Sequence, residues 1–271
     1  MTIPSLDDTL IAAIIDIARA AAAGILAVYQ SDFSVCNKAD KSPVTEADLV
    51  ANEVITDGLT RLPERLPILS EESLLIPFSE RTLWHRYWLV DPLDGTRDFV
   101  RRSDEFSVNI ALIERHRPVL GVVLAPVTGI CYFAVRGLGA HKWIPTAAPI
   151  PIHVRRRPPG RLTVAGSRFH RNALTDAFIK NLGNIDLLAM GSSLKSCLVA
   201  EGRADIYPRF GPTSEWDTAA AQCVVEEAGG HLTDTRFKPL RYNTRESLTN
   251  PSFLIFGDAS VDWCRYLPEK L

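Results

Sequence analysis

The sequence predicts two unlike halves: an α+β half over residues 1–150 and an α/β half over residues 151–271. Three observations predict this. Helical patterning followed by several strand-like runs fills the first half, and strand and helix patterns alternate through the second. Between them, residues 145–159 hold five prolines and the basic run Arg155-Arg156-Arg157, which suits a crossover with a solvated surface.

The elements follow in order. Leu10 to Val28 is almost unbroken apolar sequence. It contains Asp16 and Arg19 and is preceded by Asp7 and Asp8, so it fits neither a secretory signal nor a membrane span. Ser5 and Asp8 form a capping-box pattern that starts this buried helix near Leu6. A second helix runs from Thr45 to just before Pro63. Pro67 to Ser70 is a short strand ending at Glu71 and Glu72. Tyr87 to Val90 is a buried strand that terminates in Asp91. Ser107–Ile113, Val119–Leu124 and Ile130–Val135 read as strands of a largely antiparallel sheet, with Thr128-Gly129 turning between the last two. The second half alternates: strand Leu162–Ala165, helix Asn172–Leu182, strand Ile185–Met190, helix Leu194–Ala200, strand Ala204–Tyr207. Helix Asp217–Ala228 stops at Gly229-Gly230, and strands His231–Thr233 and Phe253–Phe256 close the chain.

Bulk properties exclude several classes. The 271 residues are 46% hydrophobic and 23% charged, enough to bury a core without disulfides or structural metal. A net charge of −2 argues against a polymeric nucleic-acid partner. The five cysteines include no C-x-x-C and read as reduced thiols of a cytosolic protein. The six histidines show no ligand spacing, so a zinc site is not expected.

The chemistry concentrates in Trp88-Leu89-Val90-Asp91-Pro92-Leu93-Asp94-Gly95-Thr96. An apolar strand delivers Asp91 to a sheet edge, the chain turns at Pro92, and Asp94 follows before a glycine. Carboxylates this close repel unless a cation lies between them, and oxygen donors suit a hard ion such as Mg²⁺. Glu71 also follows a strand, and Asp48 and Asp217 open helices. Taken singly, these acids also fit turns and helix caps; Thr45 with Asp48 is itself a capping-box pattern. Gly191-Ser192-Ser193 before a helix offers donors for a further anion, and Lys195 and Arg209 add charge.

Together these segments resemble the inositol monophosphatase superfamily of lithium-sensitive, metal-dependent phosphatases. Asp91-Pro92-Leu93-Asp94-Gly95-Thr96 is similar to its signature, and Trp216-Asp217-Thr218-Ala219-Ala220 to its second one. Glu71-Glu72-Ser73 resembles its G-E-E-S motif, with Ser70 for the glycine, and Lys41 to Asp48 its P-V-T-x-A-D segment. Arg97-Asp98-Phe99, residues 191–213 and Pro239 to Pro251 are most similar to the bacterial 3'(2'),5'-bisphosphate nucleotidases.

The resemblance implies a layered αβαβα sandwich, with most metal ligands in the first half and the second half completing the site. It implies two or three Mg²⁺ ions on Glu71, Asp91, the Leu93 carbonyl, Asp94 and Asp217. Thr96, with Asp48 and Glu71, would orient a water, and the amides of Gly95 and Thr96 would steady the phosphate. Glu71, Leu93, Asp94 and Asp217 would also face the substrate, whose second phosphate would meet Gly191, Ser192, Ser193, Lys195 and Arg209. The implied reaction converts adenosine 3',5'-bisphosphate to AMP and phosphate, recycling a by-product of sulfur assimilation, with 3'-phosphoadenylyl sulfate as a second candidate substrate. An inositol- or sugar-phosphate phosphatase, or an inactive binding protein on the same fold, are the alternatives. The expected location is the cytoplasm, with peripheral attachment to the inner membrane and the oligomeric state left open.

Overall fold

A computed structural model describes residues 8–37, 43–73, 76–156, 160–167 and 172–269. The predicted helix start near Leu6 with its Ser5 cap, and the Lys41-Ser42 pair, lie outside the described residues. In chain order the first elements are α1 (Asp8–Tyr29), β1 (Val35–Asn37), β2 (Pro43–Thr45), α2 (Glu46–Thr60), β3 (Ile68–Ser70), α3 (Phe78–Arg81), β4 (Arg86–Asp94) and α4 (Thr96–Val100). Then come β5 (Ser107–Glu114), β6 (Arg117–Leu124), β7 (Cys131–Val135), β8 (Gly139–Trp143) and β9 (Ile150–Ile152). The last part comprises β10 (Leu162–Gly166), α5 (Ala173–Leu182), β11 (Ile185–Ala189), α6 (Leu194–Ala200), β12 (Ile206–Arg209), α7 (Glu215–Glu227), β13 (His231–Asp234) and β14 (Phe253–Phe256).

Strands β3 to β9 form a seven-stranded sheet in sequence order, and β11-β10-β12-β14-β13 a five-stranded one. The first sheet is antiparallel except for the parallel pair β3–β4. Alternation along the strands decides the layers. Trp88 and Val90 of β4 face a cluster with α1 and α2, while Tyr87 and Leu89 face one with α6 and α7. In β14, Phe253 and Ile255 join α6 and α7, and Leu254 and Phe256 meet Phe178 of α5 on the outer side. The order is therefore helices, sheet, helices, sheet, helix, which is the αβαβα sandwich.

Helix α1 is apolar enough over Thr9–Tyr29 to cross a membrane by length and composition. Its Ile14, Ala18, Ala21 and Ile25 are instead buried against Ala51, Ile55 and Leu59 of α2 and the sheet. Burying each large aliphatic side chain contributes about 1.5–3 kcal/mol, so this face is a major part of the core.

Three local expectations change. The strand expected to stop at Asp91 continues to Asp94, and the β4–β5 register shifts between Asp91↔Asn109 and Asp94↔Ser107. Pro92 has no amide to offer the ladder, so the strand bulges there and continues. The proline-rich crossover contains β9, which pairs with β8 at the edge of the first sheet, where Pro151 costs no interior ladder bond. The expected division at 150/151 thus falls inside β9. Finally, β8, the small β1–β2 pair and the short helices α3 and α4 had no expectation.

Candidate active site

The first acids meet because of the parallel β3–β4 pair. Ser70 lies opposite Val90, so both strands end at one sheet edge. Glu71 follows β3 and donates its amide to the Val90 carbonyl (3.1 Å), which brings it beside Asp91. The bulge then holds Asp91, whose Oδ1 accepts the Leu93 amide (3.1 Å). Gly95 turns the chain at φ 94°, a left-handed conformation that disfavours side chains, and presents Thr96. Ser70, which departs from the motif, donates to Asn52 Oδ1 (2.7 Å) and ties β3 to α2.

Two helix starts supply the remaining acids. In α2, Asp48 Oδ2 accepts both the amide and the hydroxyl of Thr45 (2.7 Å each). Its Oδ1 accepts from the Thr96 hydroxyl at 3.2 Å. The capping reading and the catalytic reading of Asp48 are therefore compatible, one oxygen for each. In α7, Asp217 Oδ2 accepts the Ser214 amide (2.9 Å) in a second capping box. Carboxylate oxygens of Glu71, Asp91 and Asp217 all lie within 4.8 Å of one another. Asp94 stands outside this trio, with its Oδ2 accepting the Ser193 amide.

A cleft of about 940 Å³ runs over these groups. Glu71, Asp91, Leu93, Asp94, Gly95, Thr96 and Asp217 line it, and so do Ser192, Ser193, Lys195 and Arg209. Of the expected residues, Asp48 and Gly191 sit behind the lining. Gly191 is a packing position: a Cβ there would lie 2.4 Å from the Glu105 carbonyl. Lys195 is buried, donates to the Ser192 carbonyl (2.6 Å) and sits 5.4 Å over the Tyr207 ring. Arg209 donates to the Pro212 carbonyl at 3.1 Å, bracing its own loop from the cleft wall.

The model of the inositol monophosphatase family matches residues 6–256. The chain belongs to the inositol monophosphatase family. It is 46% identical over 243 residues to the 3'(2'),5'-bisphosphate nucleotidase CysQ of Escherichia coli K12, covering 88% of this chain and 96% of that one. The same-named protein of Aggregatibacter actinomycetemcomitans is 41% identical over 261 residues, 96% of this chain and 97% of that one. The crystal structure of CysQ from Bacteroides thetaiotaomicron superposes with a TM-score of 0.81 at 38% identity, over 93% of this chain and 98% of that one.

The electrostatics of this inositol monophosphatase-family site invite a cation. Burial first, then repulsion from Glu71, Asp94, Asp217 and Asp48, pushes Asp91 well above the ordinary carboxylate range. Burial and Asp94 do the same to Asp217. Burial raises Asp94 to about 6, while Lys195 and the Ser193 amide hold it down. Lys195 itself is lowered to about 8 by burial, against the pull of Asp94. A divalent ion among the oxygens would take the place of the protons that burial and repulsion favour there, so the donor set fits a hard cation.

Sequence reasoning passed over Ser107 and Asn109. Both are buried in β5 behind the acids, and both bond the Ser193 hydroxyl, at 2.9 and 2.8 Å. The available signal was a serine and an asparagine two apart at the start of an otherwise apolar strand. A buried polar residue there requires a partner.

Proposed function

We propose that this chain is a Mg²⁺-dependent 3'(2'),5'-bisphosphate nucleotidase that hydrolyses the 3'-phosphate of adenosine 3',5'-bisphosphate to AMP and phosphate, with 3'-phosphoadenylyl sulfate as a second substrate. One observation carries this reading. A single cleft is lined by Glu71, Asp91 and Asp217, whose oxygens lie within 4.8 Å of one another, and by the cations Lys195 and Arg209, in a chain 46% identical to a named bisphosphate nucleotidase. A substrate with two phosphates can use both sets of groups.

Glu71, Asp91, the Leu93 carbonyl, Asp94 and Asp217 would hold two or three Mg²⁺ ions. Bound there, Mg²⁺ supplies positive charge at the scissile phosphate and acidifies water. The protein does the rest. The Thr96 hydroxyl donates a hydrogen bond to Asp48 Oδ1, which leaves its lone pairs to accept a hydrogen bond from the attacking water and aim it in line. Glu71 stands at the same edge to take up the proton that water releases. The amides of Gly95 and Thr96, at the start of α4, steady the phosphate oxygens. The second phosphate is met by Lys195 and Arg209 with Ser192.

A substrate panel with and without Mg²⁺ tests the reading. Adenosine 3',5'-bisphosphate should be turned over with the highest kcat/KM, and chelation should stop release of phosphate. A preference for an inositol or sugar phosphate would move the chain to the other branch of the family. No metal-dependent release from any of them would leave a binding protein.

A further inference from the structure

Ser193 was expected from the sequence to donate to the substrate's second phosphate, yet the fold commits its polar groups elsewhere. Its amide is bonded to Asp94 Oδ2. Its hydroxyl donates to Asn109 Oδ1 at 2.8 Å. A hydroxyl has one proton, so the 2.9 Å contact with Ser107 is made by the Ser107 hydroxyl donating to Ser193 Oγ. The three side chains are buried, with Ser107 at 0%, Asn109 at 1% and Ser193 at 4% exposure.

The partners lie where they can act on the acids. Across the β4–β5 ladder, Ser107 is paired with Asp94 and Asn109 with Asp91. The hydrogen-bonded chain therefore starts behind the bulge in the first sheet and ends on the turn that leads into α6. Ser193 closes it by holding Asp94 Oδ2 through its amide, which fixes the orientation of that carboxylate. Of the three, Ser193 alone lines the cleft; Ser107 and Asn109 lie behind it. Removing a group that orients a ligand from behind typically costs about 10–100-fold in metal affinity or activity.

We propose that Ser193, held by Ser107 and Asn109, is a positioning residue that fixes the Asp94 carboxylate for its cation, and that it is not a ligand of the second phosphate. This rests on the reading of Asp94 as a cation ligand. The test is a thermal-shift titration of the full chain with MgCl₂ and no nucleotide. Ser193→Ala and Ser107→Ala should each need about tenfold more Mg²⁺ for half the maximal gain in Tm. Ser107→Thr, which restores the hydroxyl, should titrate like the parent. KM for the bisphosphate at saturating Mg²⁺ should change less than about twofold. Unchanged Mg²⁺ midpoints in both alanine variants would overturn the proposal. So would a raised KM for the bisphosphate in Ser193→Ala alone, which would make Ser193 a substrate ligand. If Ser193→Ala does not fold, Ser107→Ala decides by itself, because Ser107 lies behind the cleft wall. Asp94→Asn separates the underlying reading: a parental midpoint there removes Asp94 as a ligand, whatever the serine variants do.

Discussion

Helices α2 and α7 come from different halves of the chain and hold an aspartate at the site in the same way. Each is opened by a hydroxyl residue, Thr45 or Ser214, with an aspartate at its third position. In each, one aspartate oxygen accepts the amide of the opening residue. The helices differ in what the aspartate meets next. Asp48 receives a second donor on its capping oxygen, the Thr45 hydroxyl, and turns its other oxygen to Thr96. Asp217 comes within 4.8 Å of the oxygens of Glu71 and Asp91. One carboxylate is surrounded by donors and the other by like charge. A capping box orients a carboxylate; its other neighbours decide whether it sits among donors or among like charges.

The largest effects should come from removing each charge while keeping each cap. Asp217→Asn retains an oxygen for the Ser214 amide, so α7 should stay capped. Turnover in saturating Mg²⁺ should fall about 10³-fold, since a cation ligand supplies several kcal/mol at the transition state. The metal-free protein should melt higher than the parent near neutral pH, because buried repulsion is gone. Asp48→Asn should lower kcat about 10²-fold, the scale of lost acid–base assistance, with the Mg²⁺ midpoint unchanged. An equal shift of that midpoint in both variants would erase the difference between the helices.

A pH titration probes the same contrast without mutation. Asp94 is raised from 3.8 to about 6, and Asp91 and Asp217 are raised well above their ordinary range. An acid with a raised folded pKa keeps its proton where the unfolded chain has lost it. The metal-free fold therefore loses stability as pH rises from about 4 through 6 and above. Bound Mg²⁺ removes that penalty, so its gain in Tm should be larger at about pH 7.5 than at about pH 5.5. A gain independent of pH would mean that the acids are not the site of binding.

The smallest effects concern the caps themselves. Thr45→Ala and Ser214→Ala should each cost about 1 kcal/mol in urea denaturation. Thr45 should stand at the upper end, because its hydroxyl also donates to Asp48.

The motif-bearing acids were legible as a set because each sits where local pattern changes: Glu71 after an apolar strand, Asp48 and Asp217 at helix starts. The layered fold was legible only through the family likeness of those motifs; strand and helix periods by themselves indicated two halves. The β9 strand was hidden by Pro149 and Pro151, which read as crossover but are tolerated on a sheet edge. The bulge at Pro92 was hidden because a proline after an aspartate equally describes a strand end.

By itself the sequence determined which groups were available: five acids in four ordered motifs, a Gly-Ser-Ser turn, Lys195 and Arg209, and the apolar periods that build each element. Only the tertiary structure decided how each oxygen and amide is used. Asp48 is divided between Thr45 and Thr96, 48 residues further on. Ser193 serves Asp94 across 99 residues, with Ser107 and Asn109 behind it. The physical reason is the range of the forces involved. Periodicity and capping act within a few residues, whereas a short hydrogen bond between remote residues exists only after the two sheets and the helices between them have packed.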